Sequence, residues 1–395
     1  MQLSNRTRLK HIQTMAPLPV FFGKQQSTHI KGVAILMLLL HHLFLFPSGN
    51  PWFTGLFFTR YGGVEYFLSS IGKLCIVLFF FVSGYGLWQA SRDDKHLIRS
   101  CFKRLRTIYI IYSFAILTTV LLLFLVNGSL VLLSTRHAVE TFLGINVSIN
   151  GSWWFFIVYV ELLLLTPFAV LFVRRFSWPL LLLFSGLVYL LSPASGFTVF
   201  AEMIETVGLS SIVYKSFPLD LLWFNQFFFF IGFCFAASGI FETSLQFSCK
   251  RLLNPLLRHT IALFCIGLIV SFRYYFIDIG ALFGILSREG INIFQYTIIS
   301  SRADFILGPL AIFAFTLLFH QHRLSGLAFL GKHSASIWLI HGVVISIVLT
   351  IIKNIHPWSP LAFLLILSLC ILYALLYSSV ARLWITKKEE LKTDV

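Results

Sequence analysis

Long apolar runs separated by short polar stretches fill this chain from residue 30 nearly to its end. Their periodicity and length predict helices over 30–48, 73–90, 107–127, 153–173, 177–192, 222–241, 259–277, 304–321, 334–352 and 361–382. The runs do not alternate apolar with polar residues as barrel strands do, so they read as spanning helices. The fifth is short and the seventh contains Arg273. The expected architecture is all-α: one polytopic membrane domain over 30–383, a basic arm over 1–29 and a short tail over 384–395.

Within the first run, Lys31 and His42 are eleven residues apart, and no Asp, Glu, Lys or Arg intervenes before Arg60. Eleven helical steps rise about 16 Å and turn about 1100°, close to three full turns. Both side chains therefore fall on one face, the lysine near the membrane surface and the imidazole about half-way across. His41 is rotated by about 100° and faces elsewhere. An ionisable group at that depth marks a site, because it needs a partner or water to be tolerated.

Composition supports this reading. Of the 395 residues, 58% are hydrophobic and 11% charged, with a mean hydropathy of +0.87; a soluble domain carries about 25% charged residues. The net charge of +15 could suggest nucleic acid, but its placement argues for a topology signal instead. With the first helix running outward, 22 of the 30 Lys and Arg fall on the cytoplasmic side. The rest, Arg60, Lys73, Arg136, Lys215, Arg273, Arg288, Arg302 and Lys353, fall outside or near the outer face. That asymmetry predicts cytoplasmic termini, with membrane lipids rather than nucleic acid as partners. The six cysteines have neither metal spacing nor a disulfide framework and read as small apolar packing groups.

Four places can carry chemistry. His42 is either a histidine hydrogen-bonded within the bundle or a base for a hydroxyl nucleophile. Arg99, Lys103 and Arg106 fall at i, i+4 and i+7 if the third helix starts early; this stripe is a topology determinant or a seat for a phosphorylated ligand. Glu161 is expected roughly 12 Å deep, near the depth of His42. It could orient that imidazole, or pair with Arg273 or a tyrosine. His341 is expected roughly 10 Å inside the ninth helix, where a polar clasp between helices is the simplest role. Ser83, in Phe79-Phe80-Phe81-Val82-Ser83-Gly84-Tyr85-Gly86, lies in a segment suited to close helix packing.

Four pieces in order resemble the acyltransferase-3 family of integral membrane acyltransferases. They are Lys31 with His42 after ten intervening residues, Leu78 through Tyr85, Lys103-Arg104-Leu105-Arg106, and Leu330-Gly331-Lys332 through Leu339-Ile340-His341. The resemblance covers about 28–383. Trp154 and Pro167 are kept from another family pattern, but Tyr159-Val160 stands where paired acids are common. The resemblance implies transfer of an acyl group, usually acetyl from acetyl-CoA, to a hydroxyl of a cell-surface polysaccharide or lipid-linked glycan precursor, in the cell inner (cytoplasmic) membrane. The expected catalytic residues are His42 and Glu161, with Lys31, Arg99, Lys103, Arg104, Arg106 and His341 on the acyl-CoA side. Acyl-CoA is then a co-substrate, with no bound cofactor or metal expected. The intramembrane His42, Glu161 and Arg273 also allow a transporter or glycan flippase, although no inverted repeat is visible. A lipid-linked glycan polymerase would need larger outside loops than these.

Overall fold

Each predicted apolar run forms a helix in the computed structural model, which describes residues 21–44, 58–59, 62–92, 96–128, 134–192, 219–252, 254–276, 301–320, 322–352, 355 and 357–393. In chain order the helices are α1 (Lys24–Phe44), α2 (Val64–Gly72), α3 (Cys75–Ser91), α4 (Leu97–Asn127), α5 (Thr135–Phe142), α6 (Trp154–Arg175), α7 (Trp178–Leu191), α8 (Leu219–Ser238), α9 (Ile240–Arg251), α10 (Pro255–Tyr274), α11 (Asp304–Phe319), α12 (Ser325–Lys332), α13 (Ser334–Ile352) and α14 (Ser359–Thr393). Among the described residues, eight regions are long and apolar enough to span a bilayer; α3 and α7 are shorter apolar helices. Phe58–Thr59 and Gly62–Gly63 form one two-residue antiparallel ladder before α2. The fold is an all-α polytopic membrane protein. Arg60, Lys215, Arg288, Lys353 and residues 1–20 of the expected arm lie outside the described residues.

The bundle is built around α3, which touches α1, α6, α8 and α11. Leu78, Phe80 and Phe81 are fully buried, as expected of a helix apolar on every side. Gly84 allows α3 to approach α8 closely: a Cβ there would strike the Phe229 carbonyl, and one at Gly232 would strike that of Phe81. Small residues permit this backbone contact between membrane helices. By contrast, α4, α7, α10 and α14 turn rows of apolar side chains outward, among them Leu117, Leu183, Leu263 and Leu372.

Several boundaries differ from the sequence expectation. The first helix begins at Lys24, because the hydroxyls of Ser27 and Thr28 bond back to the Lys24 carbonyl (3.0 and 2.7 Å) and keep a polar turn helical. The preceding Phe21-Phe22 is docked within the protein: both backbone N–H groups donate to the Glu242 carboxylate (2.5 and 3.1 Å). The Phe22 ring is buried against Tyr85 and Phe241. The last helix continues to Thr393, through most of the expected tail.

Arg273, at the end of α10, is fully buried and paired with Asp304 at the start of α11. Glu161 is therefore not its partner. Removing one member of a buried pair strands a charge and costs about 3–5 kcal/mol. We expect Asp304→Ala to lower the thermal unfolding midpoint sharply, and Arg273→Leu/Asp304→Leu to recover part of the loss. Equal midpoints for Asp304→Ala and the wild type would contradict this pairing.

Candidate active site

A cavity of about 550 Å³ opens among α1, α3, α4, α6 and α13. That volume lies within the range for small-molecule sites. Lys31, Lys103 and Arg104 supply its cations, and Ser83, Cys101 and Tyr159 also line it. The cavity-facing stripe of α4 runs Leu97, Cys101, Arg104, Ile108 and Ile111, at helical spacing. Arg99 and Arg106 lie on the opposite side of that helix, exposed and away from the cavity. The expected Arg99–Lys103–Arg106 face thus contributes only Lys103, and the adjacent Arg104 replaces the other two. The apolar residues of α4 pack inward and carry Arg104 with them.

At its inner end the cavity meets three rings. Trp338 lies 4.1 Å from Phe155 and 4.9 Å from Phe79, centroid to centroid. The imidazoles stand behind Trp338. Its ring is 6.1 Å from His341, and His341 is 4.7 Å edge-on from His42. His42 is half-buried and does not itself line the cavity. Lys31 lines the cavity, whereas His42 reaches it only through His341, whose ring lies against Trp338.

The two neighbouring histidines have different surroundings. His341 is fully buried, and its Nδ1 is bonded to the Trp338 carbonyl. A carbonyl oxygen only accepts, so Nδ1 carries the proton and the neutral ring presents a bare Nε2 lone pair. That Nε2 has no hydrogen-bond partner among the described residues. His41 is turned away, its Nδ1 2.8 Å from the Ser69 carbonyl oxygen.

Glu161 is not brought to either imidazole. It is half-buried, on the stripe of α6 that carries the exposed Leu164, Leu165 and Phe168, and its buried Oε2 has no hydrogen-bond partner among the described residues. The helical phase of α6 gives the carboxyl no contact with His42 or His341. The imidazole from another helix that meets His42 is His341, which the sequence reading had placed beside the acyl-CoA.

The Asn150–Trp153 turn, which the sequence reading did not single out, holds this wall in place. Trp153 Nε1 and Asn150 Nδ2 both donate to the Leu339 carbonyl (2.8 and 3.2 Å), and Trp338 Nε1 donates to the Ser152 carbonyl (3.4 Å). Gly342 lets the turn lie against α13, since a Cβ there would strike Ser152 Oγ and Asn150 Oδ1. The sequence signal was a polar Asn-Gly-Ser immediately before an apolar helix. Among the described residues no group of three His, Cys, Asp or Glu is arranged for a metal ion.

The acyltransferase-3 family model, described as an acyltransferase domain, matches residues 26–378. The chain belongs to that family. This acyltransferase matches no curated protein and no solved structure in the same comparisons. Family membership makes it a membrane acyltransferase and selects group transfer over the transporter and polymerase readings.

Proposed function

We propose that this acyltransferase moves an acyl group, acetyl, from acyl-CoA to a hydroxyl of a cell-surface polysaccharide or lipid-linked glycan precursor in the cytoplasmic membrane. One observation carries the reading: a cavity bearing Lys31, Lys103 and Arg104 ends on Trp338, directly behind which His341 contacts His42. CoA presents phosphates and a long, thin pantetheine arm. The cations suit the phosphates through charge-assisted hydrogen bonds, and Arg104 can bind in a fork. The arm then runs along Phe79 and Phe155, and Trp338, which touches both the cavity and His341, must turn aside for the thioester to pass.

Beyond that ring, His42 acts as general base. It takes the hydroxyl proton as the acceptor oxygen bonds to the thioester carbon. The carbon–sulfur bond breaks, and the proton returns from the imidazolium to the departing thiolate. Glu161 takes no part in this sequence.

Cys101 provides the test, because it is buried on the cavity wall. In a variant keeping this cysteine alone, saturating acetyl-CoA should shield it from alkylation. Arg104→Gln should raise the protecting concentration about tenfold, as loss of a charge-assisted bond predicts. Full alkylation at saturating acetyl-CoA would overturn the assignment of the cavity. Mass spectrometry of surface glycans from deletion and wild-type strains then identifies the acceptor by its lost acetyl mass.

A further inference from the structure

The end of the bundle where α1 begins carries a second group of basic side chains. Arg258, in the first turn of α10, is only 5% exposed. Its Nε is shut off from solvent without a partner, and its guanidinium forms no hydrogen bond or ion pair among the described residues. Three imidazoles complete the group. His259 follows Arg258 on α10, and its Nε2 is 3.2 Å from Nε2 of His322, in the connection between α11 and α12. His320 opens that connection and stacks on Phe21, with 5.1 Å between centroids. Burial first, then the charges of Arg258 and His322, hold the His320 imidazole below its ordinary pKa, so these groups share one electropositive neighbourhood. Gln25 Nε2 donates to the His322 carbonyl (3.2 Å), which ties the connection to α1. None of the four residues lines the cavity that bears Lys31, Lys103 and Arg104.

No acid answers these cations. The chain has no Asp or Glu between Glu242 and Asp278, nor between Asp304 and Glu389. Asp304 is paired with Arg273 at the other end of α11. Glu242 already accepts the backbone N–H groups of Phe21 and Phe22. The exposed Lys250, Arg251 and Arg323 are accounted for by the charge asymmetry alone. Arg258 is not, because a charge withdrawn from water without a partner is costly. We propose that Arg258, with His259, His320 and His322, binds a phosphate group at the end of the bundle that the charge asymmetry assigns to the cytoplasm. A guanidinium meets phosphate oxygens with a planar fork of N–H groups. Each imidazole can add a donor and take up a proton as the anion arrives. Basic groups between helices at this face also suit the phosphate of an anionic lipid. The close His259–His322 pair alone would suit a metal ion, but the adjacent guanidinium repels one.

The test reads the site histidine by histidine. Full-length protein in neutral detergent is treated with diethyl pyrocarbonate, which modifies neutral imidazoles, and each position is quantified by peptide mass spectrometry. Inorganic phosphate should protect His322 relative to chloride at equal pH and ionic strength, whereas His137, exposed on α5, should react equally in both. The half-protecting concentration should rise about tenfold in Arg258→Gln, the worth of one charge-assisted bond, and less in Arg258→Lys, which keeps the charge. A second arm identifies the source of the phosphate. Protection in phosphatidylglycerol nanodiscs but not in phosphatidylcholine ones, without free phosphate, assigns a lipid headgroup; protection by the inorganic ion alone assigns a free phosphate. Equal modification of His322 under every condition would overturn the proposal, as would protection that survives Arg258→Gln unchanged. Should Arg258→Gln fail to fold, the wild-type comparison and the smaller shift in Arg258→Lys still decide the matter.

Discussion

His42→Ala is expected to reduce acyl transfer by about 10²- to 10⁴-fold, the range contributed by a positioned general base. The protein should still fold. Position 42 is half-buried near the end of α1, alanine is the best helix former, and the lost ring contact with His341 is worth only about 1 kcal/mol. Two neighbours sharpen the comparison. His41→Ala removes the bond to the Ser69 carbonyl and should cost stability with little effect on turnover. Glu161→Gln alters a carboxyl whose Oε2 has no partner among the described residues, and should leave the rate within about twofold. Transfer from acetyl-CoA in membrane vesicles, read beside the unfolding midpoint of each variant, separates these outcomes. Undiminished transfer by His42→Ala would remove the base from the mechanism. A loss in Glu161→Gln matching that of His42→Ala would restore the carboxylate to it.

The helices were legible because a bilayer imposes a coarse rule: about 20 apolar residues, uncharged, repeated. All ten predicted runs form helices, and even Arg273 does not break its own, because Asp304 is there to receive it. The Lys31–His42 relation was legible for a similar reason, since both lie on one helix and periodicity alone fixes their phase. What failed were statements that needed a second helix. An expected depth for Glu161 says nothing of azimuth, and its place on α6, among the exposed Leu164, Leu165 and Phe168, gives it no contact with the imidazoles. Arg99 and Arg106 follow a helical stripe, yet the apolar stripe two residues away packs inward and excludes them. The contact of Phe22 with Phe241, and that of Asn150 with Leu339, join residues about 200 positions apart. No local pattern announces such pairs. His341 was found by its motif and depth, but its tautomer depends on one carbonyl three residues back.

That tautomer gives the second large expectation. Because Nδ1 is committed to the Trp338 carbonyl, the lone pair on His341 Nε2 can accept a hydrogen bond and cannot donate one while the ring is neutral. His42, in edge contact, is the nearest imidazole able to offer an N–H. Accepting that proton would fix the orientation of the His42 ring, so in the proposed mechanism His341 would be a positioning residue that works through His42. His341→Ala should lower kcat by about 10²-fold, within the range seen when a group orienting a base is lost, while KM for acetyl-CoA stays within about twofold. A purely structural role predicts a different pattern, in which less folded protein retains normal turnover per molecule. His341→Gln distinguishes the two, because its amide oxygen reaches the place of Nε2 as an acceptor and should recover at least about tenfold of the lost kcat. If Gln and Ala are equally slow, or if KM rises while kcat holds, His341 does not position the base. The aromatic wall provides an internal control: Trp338→Phe keeps a ring at the end of the cavity and loses only the bond to the Ser152 carbonyl, so its effect should fall well short of that of His341→Ala.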